Sequence, residues 1–392
     1  MSDAKTFEDT PAAERGEQLD LYRVANARGR AAMRLMMTSP RNGLLRILSV
    51  SAEPPRPGSA ARTHLTAIRD ALRAEGHSVE ELWRTADNGN KLFSLARFQL
   101  RGARRIHRAD VVYMRWHVLD VVHVVFARAL RKRIVLEVNG TSDDILLENP
   151  RLRFAASAVH ALARITLRAA HHVIVVSPGL KGWVHSHAPC VPVTFLANGA
   201  HASLAHAAKG AATPPYAVFV GEFARHQGLN TLLRARRRPE WPTWLSLVVV
   251  GSGALQAEIE AAAQLNMLVH HGRLPQHEAH DVLAQATLSV SPQSGLVARN
   301  RLGVTPLKVA ESMMLGVPVV GARLPGLTEI IGASPAGSTF APDDPADLAQ
   351  AVARVAQSVS DRERLRQYAV ETLSWEAVGR ATAAICAGAD ND

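Results

Sequence analysis

Cysteine is scarce in this chain. Cys190 and Cys386 are the two thiols in 392 residues, far apart, so no disulfide framework organises the fold and a reducing compartment suits it. Long hydrophobic runs are also missing. No apolar stretch approaches the roughly 20 residues that cross a bilayer, and the amino-terminal segment lacks a continuous apolar signal core, so a cytoplasmic protein is expected. Metal-ligating patterns are incomplete. His277-Glu278-Ala279-His280 lacks the four-residue step of H-E-x-x-H, and His185, His187 and Cys190 want a fourth ligand, so no metal is expected. Acidic residues are outnumbered, 35 Asp and Glu against 45 Lys and Arg, and the net charge of +10 favours an anionic partner: nucleotide, anionic lipid surface or nucleic acid. No recognised nucleic-acid motif accompanies the charge, so no specific nucleic acid is expected.

Aliphatic side chains are plentiful. Apolar residues make up 47 % of a chain too long for one compact core, and two domains are expected. Residues 1–44 carry scattered charge and no strand pattern; they read as a flexible extension, with a basic amphipathic helix over Leu19 to Met37 as the other reading. From Leu45 onward, β-branched runs such as Leu45 to Val50, Asp110 to Arg115, Arg133 to Val138 and His171 to Val176 alternate with helical stretches. A first domain is expected over 45–202, an Ala-, Gly- and Pro-containing linker over 203–215, a second domain over 216–372, and a last helix over 373–392. Repeated strand, loop and helix predict doubly wound parallel sheets. The basic stretch Leu95 to His107, with Arg97, Arg101, Arg104 and Arg105, is either a docking face for acidic head groups or an anionic acceptor, or simply a solvated helix face.

The most informative stretch is Gly303 to Val320. Thr305 suits an N-cap, Pro306 a first helical position, and Leu307, Ala310, Met313 and Met314 repeat at helical spacing until Gly316 ends the turn. Val317-Pro318-Val319-Val320 then reads as a strand buried on both faces. The helix therefore starts at the carboxyl ends of the strands, where backbone N–H groups of Val304 to Leu307 would suit a phosphate. Glu311 follows on the same helix, either facing solvent or accepting hydrogen bonds from ribose hydroxyls. Gly251-Ser252-Gly253, after the strand Leu245 to Val250, lets backbone approach a ligand.

The string TPLKVAESMMLGVPVVGARLPGLTEII combines P-x-K-x-x-E-x-M-x-x-G-x-P-V-V with a following G-x-x-E. It resembles the donor-nucleotide segment of family 4 glycosyltransferases, and the resemblance extends over about residues 46–385. It implies the GT-B fold, two Rossmann-like domains facing across a cleft, and retaining transfer of a hexosyl group from a nucleotide sugar to a hydroxyl acceptor. The acceptor would be a glycan, a lipid-linked saccharide or a small metabolite, with no cofactor beyond the co-substrate. Peripheral contact with an anionic membrane, at the inner face, fits the charge.

Several positions follow from the resemblance. Gly58 and Ser59 stand where the family's first loop approaches the donor sugar. Asn139, in E-V-N-G, takes a place where many members have histidine, and can bind a sugar hydroxyl but not carry a proton. Arg273 would flank the nucleobase. The arginine and lysine that neutralise the diphosphate in many members are here Glu222 and Gln227, so Arg225 and His226 become the candidate charges. The first glutamate of the family's usual pair falls on Gly303, leaving Arg299, Asn300 and Arg301 as candidate sugar contacts. These departures keep a second reading open, a catalytically silent GT-B partner that binds nucleotide without turnover.

Overall fold

The structure, a computed structural model, describes residues 43–53, 60–84, 91–148, 154–207 and 209–388. Twelve strands among these residues form two sheets. The first contains β1 (Arg46–Ser51), β2 (Ser78–Trp83), β3 (Val111–Arg115), β4 (Arg133–Val138), β5 (His172–Val175) and β6 (Val193–Phe195). The second contains β7 (Tyr216–Val220), β8 (Ser246–Val250), β9 (Val269–His270), β10 (Leu288–Ser291), β11 (Val319–Ala322) and β12 (Gly337–Phe340). Every pairing is parallel, in the orders β2-β1-β3-β4-β5-β6 and β12-β11-β10-β7-β8-β9. Parallel neighbours require crossovers, and helices supply them on both faces.

The strand sequences explain the layering. VVYMR in β3 and SLVVV in β8 carry aliphatic residues on both sides of the pleat, as strands covered by helices on both faces do. The first sheet accordingly has one core under Phe98, Val124 and Leu167 and another under Leu65, Ile68 and Val378. That second core is closed by the helix Trp375–Ala387, which comes from the far end of the chain. Gly379 lies so near Ala71 that a β-carbon there would sit 2.2 Å from the alanine's own. Ala200 and Ser374 pair as an isolated bridge, with Ala200 N–H donating to Leu373 O at 2.8 Å and Trp375 N–H to Ala200 O at 3.0 Å.

The helix before β10 spans Gln276–Ala284, beginning directly after Pro275. Val269–His270 is a strand of two residues, and Gly272, at φ +66°, lies in the loop that follows it. Within the expected linker, Ala202–Ala207 winds as a 3-10 helix, for which its alanines are suited. The readings for residues 1–42, and those for Gly58 and Ser59, lie outside the described residues.

Candidate functional site

In each sheet the order reverses at one place, between β1 and β3 and between β7 and β10. Such switch points open a crevice at the carboxyl ends of the strands. The loops leaving those ends in the two domains face each other. Ser177, after β5, donates its hydroxyl to Leu302 O at 2.7 Å, and a β-carbon on Gly179 would sit 2.1 Å from the same carbonyl.

The helix Leu307–Met314 starts at this junction. Pro306, with φ −64° and ψ 135°, holds the N-cap position without a side-chain cap. Thr305 is not the cap that its sequence position suggests. Its hydroxyl donates to Val176 O at 2.9 Å in the other domain, while Asn198 Nδ2 donates to Thr305 O at 2.8 Å. Val304 N–H is likewise spent on Pro325 O at 3.0 Å. Of the expected phosphate donors from Val304 to Leu307, Pro306 has no N–H, and the N–H groups without a partner inside the helix are those of its own first turn.

Asn198 is one link in a longer chain of bonds. Its Oδ1 lies 2.9 Å from His64 Nδ1, and His64 Nε2 lies 2.6 Å from Glu137 Oε2. Glu137 also receives the Tyr113 hydroxyl, Arg115 at 3.3 Å and Asn139 Nδ2 at 2.5 Å. Burial by itself would raise the Glu137 carboxyl, yet the charge and hydrogen bond of His64, with Arg115 and Tyr113, bring it down to about 2. The network holds a carboxylate in the core of the first domain and ends on the carbonyl of Thr305, just ahead of the helix Leu307–Met314. Asn139, half-buried after β4, has its amide nitrogen engaged with Glu137, so its carbonyl oxygen is the group left to meet a hydroxyl.

Glu311 lies one helical turn past the start and lines a cavity of about 430 Å³. The opposite walls are Thr63 of the first domain, the segment Gly199 to Leu204, and Trp375, so the cavity is interdomain. His280 Nε2 approaches Glu311 Oε1 to 3.4 Å, and both side chains are largely covered. A carboxylate held at a cleft by an imidazole can accept the two hydroxyls of a ribose.

The loops after β7 and β10 adjoin at the switch point. Ser294 N–H donates to His226 O at 3.1 Å, and Asn300 Nδ2 donates to both His226 O at 2.8 Å and Ser294 O at 2.9 Å. Asn300 is fully buried and staples the two loops, which removes its amide nitrogen as a sugar contact. Arg225, Arg273 and Arg301 are exposed. His226 is pushed below its ordinary range by burial and then by Arg299, so near neutral pH it is not a standing cation. Gly251 and Gly253 serve loop packing: β-carbons there would meet Gly221 O at 1.9 Å and the Phe223 backbone at 2.8 Å. Gly303, at φ +103°, would set a β-carbon 2.5 Å from Pro325 O and 2.9 Å from Ser177 Cβ, so the missing glutamate has no room.

Lys308 escaped the residue-by-residue reading although it stands inside the quoted motif. Its ammonium lies 2.8 Å from Gln227 Oε1 and 3.9 Å from the Phe219 ring centroid. Burial lowers its pKa to about 7 against the opposing pull of Glu311. A lysine three residues before a cleft glutamate on one helix was the available signal. His64 and Glu137 gave none, being 73 residues apart. Among the described residues no group of three or more metal-ligating side chains converges.

Two facing doubly wound domains with this interdomain cleft define the GT-B architecture of glycosyltransferases. Residues 214–358 match the model of the glycosyl transferases group 1 family, so the second domain is a domain of that family and the chain is a glycosyltransferase. A search of curated proteins returns no significant match. Solved structures share the fold at low identity. Sucrose-phosphate synthase from Thermosynechococcus elongatus is 18 % identical with a TM-score of 0.65, over 86 % of this chain and 96 % of that one. HepE of Anabaena in complex with UDP is 16 % identical with a TM-score of 0.63, over 86 % and 98 %. WaaG, a glycosyltransferase involved in lipopolysaccharide biosynthesis, is 14 % identical with a TM-score of 0.58, over 86 % and 99 %.

Proposed function

We propose that the protein transfers a hexosyl group, with retention, from a nucleotide sugar to a hydroxyl acceptor held by the first domain. The observation that carries the reading is the interdomain cavity lined by Glu311 at the switch point of the second sheet. Ribose hydroxyls would bond Glu311, and the diphosphate would lie at the first turn of Leu307–Met314, where N–H dipoles favour its charge. HepE was solved with UDP and with UDP-glucose, which supports a uridine diphosphate sugar as the first donor to test.

In the step proposed, the bond from the sugar's anomeric carbon to the β-phosphate oxygen breaks, and the diphosphate leaves with the electron pair. The acceptor oxygen bonds to the same face of that carbon, and its proton passes to the departing phosphate. The protein's part is to stabilise charge developing on the leaving group with fixed dipoles and cations.

The acceptor side carries a second feature. The helices Lys91–Ile106 and Val121–Ala129 expose Phe93, Leu100, Val122, Val125 and Phe126 beside Arg97, Arg101 and Arg104. Apolar side chains among arginines suit an anionic membrane surface, which supports a lipid-linked acceptor. No helix among the described residues is long and apolar enough to cross a membrane, so the contact proposed is peripheral. Incubation with UDP-sugars and candidate acceptors, with product anomers read by NMR, tests the reading: a retained anomer is expected. Inversion would sink the retaining mechanism, and nucleotide binding without hydrolysis or transfer would establish the silent partner that Gly303 and Gln227 favour.

A further inference from the structure

We infer that Lys308 is the side chain that contacts the donor diphosphate, taking over from the helix side a charge that Gln227, in the loop after β7, does not provide. The inference rests on the reading of this cleft as a nucleotide-sugar site and names the cation within it.

The geometry is specific. Lys308 leaves the first turn of Leu307–Met314 and reaches to the end of β7, where a side chain on Gly221 would begin 3.3 Å from its ammonium. The absence of a side chain at 221 keeps that space open. Its hydrogen-bond partner there is a neutral amide oxygen, Gln227 Oε1, which also accepts from Gln293 Nε2 at 2.9 Å. A ring face and one shared amide oxygen are weak compensation for a desolvated ammonium. An anion placed at the helix start would supply what is missing, as a charge-assisted hydrogen bond.

The charged neighbours narrow the assignment. Glu311, on the same helix, acts on Lys308 from one turn away. From the loop after β7 come His226, Glu222 and Arg225; from the loop after β10 comes Arg299. Glu222, Arg225 and Arg299 are exposed, and His226 is neutral near pH 7, so Lys308 is the covered ammonium at the end of β7. Because burial holds its pKa near 7, the free protein at pH 8 carries it mostly deprotonated, and an arriving diphosphate should draw a proton onto it.

Calorimetric titration with UDP at pH 8, in buffers of low and high ionisation enthalpy, reads both quantities. The terminal phosphate, with a second pKa of about 6, is already ionised at that pH and contributes no uptake. The wild-type protein is expected to take up most of one proton per UDP. Lys308→Met, which keeps the apolar stem over Phe219, should bind about tenfold to a hundredfold more weakly and without uptake. Adding Gln227→Lys to that variant should restore affinity by returning an ammonium to the same space. His226→Asn should retain uptake. If Lys308→Met binds UDP as the wild type does with uptake intact, or if uptake disappears in His226→Asn instead, Lys308 is not the contact although the cleft remains a nucleotide site. If the wild-type protein does not bind UDP or UDP-sugars at all, the inference and the reading beneath it both fall.

Discussion

His64 Nε2 and Glu137 Oε2 lie 2.6 Å apart in the core of the first domain, and through Asn198 this buried pair is bonded to Thr305 at the threshold of the donor-side helix. The second domain is thus registered against the first by a continuous chain of side-chain hydrogen bonds.

Glu137→Gln keeps the volume and removes the charge, leaving His64 without its carboxylate and Arg115 with Glu53 alone. A loss of about 3 to 5 kcal/mol in unfolding free energy is expected from breaking a buried pair on one side. Urea denaturation measures it, and a loss within about 0.5 kcal/mol would mean that the network is not stabilising.

The same carboxyl sets an acid limit. Its folded pKa, near 2, lies below the usual 4.5, so its contribution is fully present above the usual value and fades as pH falls from about 4.5 towards 2. Wild-type stability followed across that range should fall more steeply than that of Glu137→Gln. Parallel curves would assign acid unfolding to other groups.

Glu311→Ala should weaken UDP binding about tenfold to a hundredfold, the worth of hydrogen bonds to a charged acceptor. The melting temperature without ligand should change little, since the side chain is partly exposed at the cavity wall. Unaltered affinity would remove Glu311 from the ribose site.

Restoring the family's usual residue, Gly303→Glu, should damage the protein. The backbone at φ +103° costs about 1 to 3 kcal/mol with a side chain, and the β-carbon meets the Pro325 carbonyl besides. A lower melting temperature and no gain in transfer are expected. Higher activity would show that the loop rearranges readily.

Val125→Asp together with Phe126→Asp should reduce flotation with anionic vesicles while leaving hydrolysis of a soluble donor unchanged. Both side chains are exposed, 56 % and 41 %, so folding should tolerate the change. Undiminished flotation would exclude this face as the membrane contact.

Sequence reading succeeded where the determinants are local. The helix ending at Gly316, the buried strand after it and the placement of Glu311 follow from spacing within twenty residues, and alternation of strand and helix is enough to imply two parallel sheets. It failed where meaning depends on a distant partner. Thr305 looks like a cap, but the carbonyl that claims its hydroxyl is 129 residues earlier. Asn300 looks like a free amide beside a sugar site, and its partner His226 is 74 residues away. Lys308 reads as one of six lysines in the chain until Phe219 and Gln227 close around it.

The helix Trp375–Ala387 has a consequence for biosynthesis. Trp375, Val378, Ala381 and Ile385 complete the hydrophobic layer under Ile47, Leu65 and Val111, so the first domain is finished by residues that follow the second domain in the chain. Until they emerge, a greasy flank of the early domain stays open to solvent, and a ribosome-bound intermediate lacking them should attract chaperones.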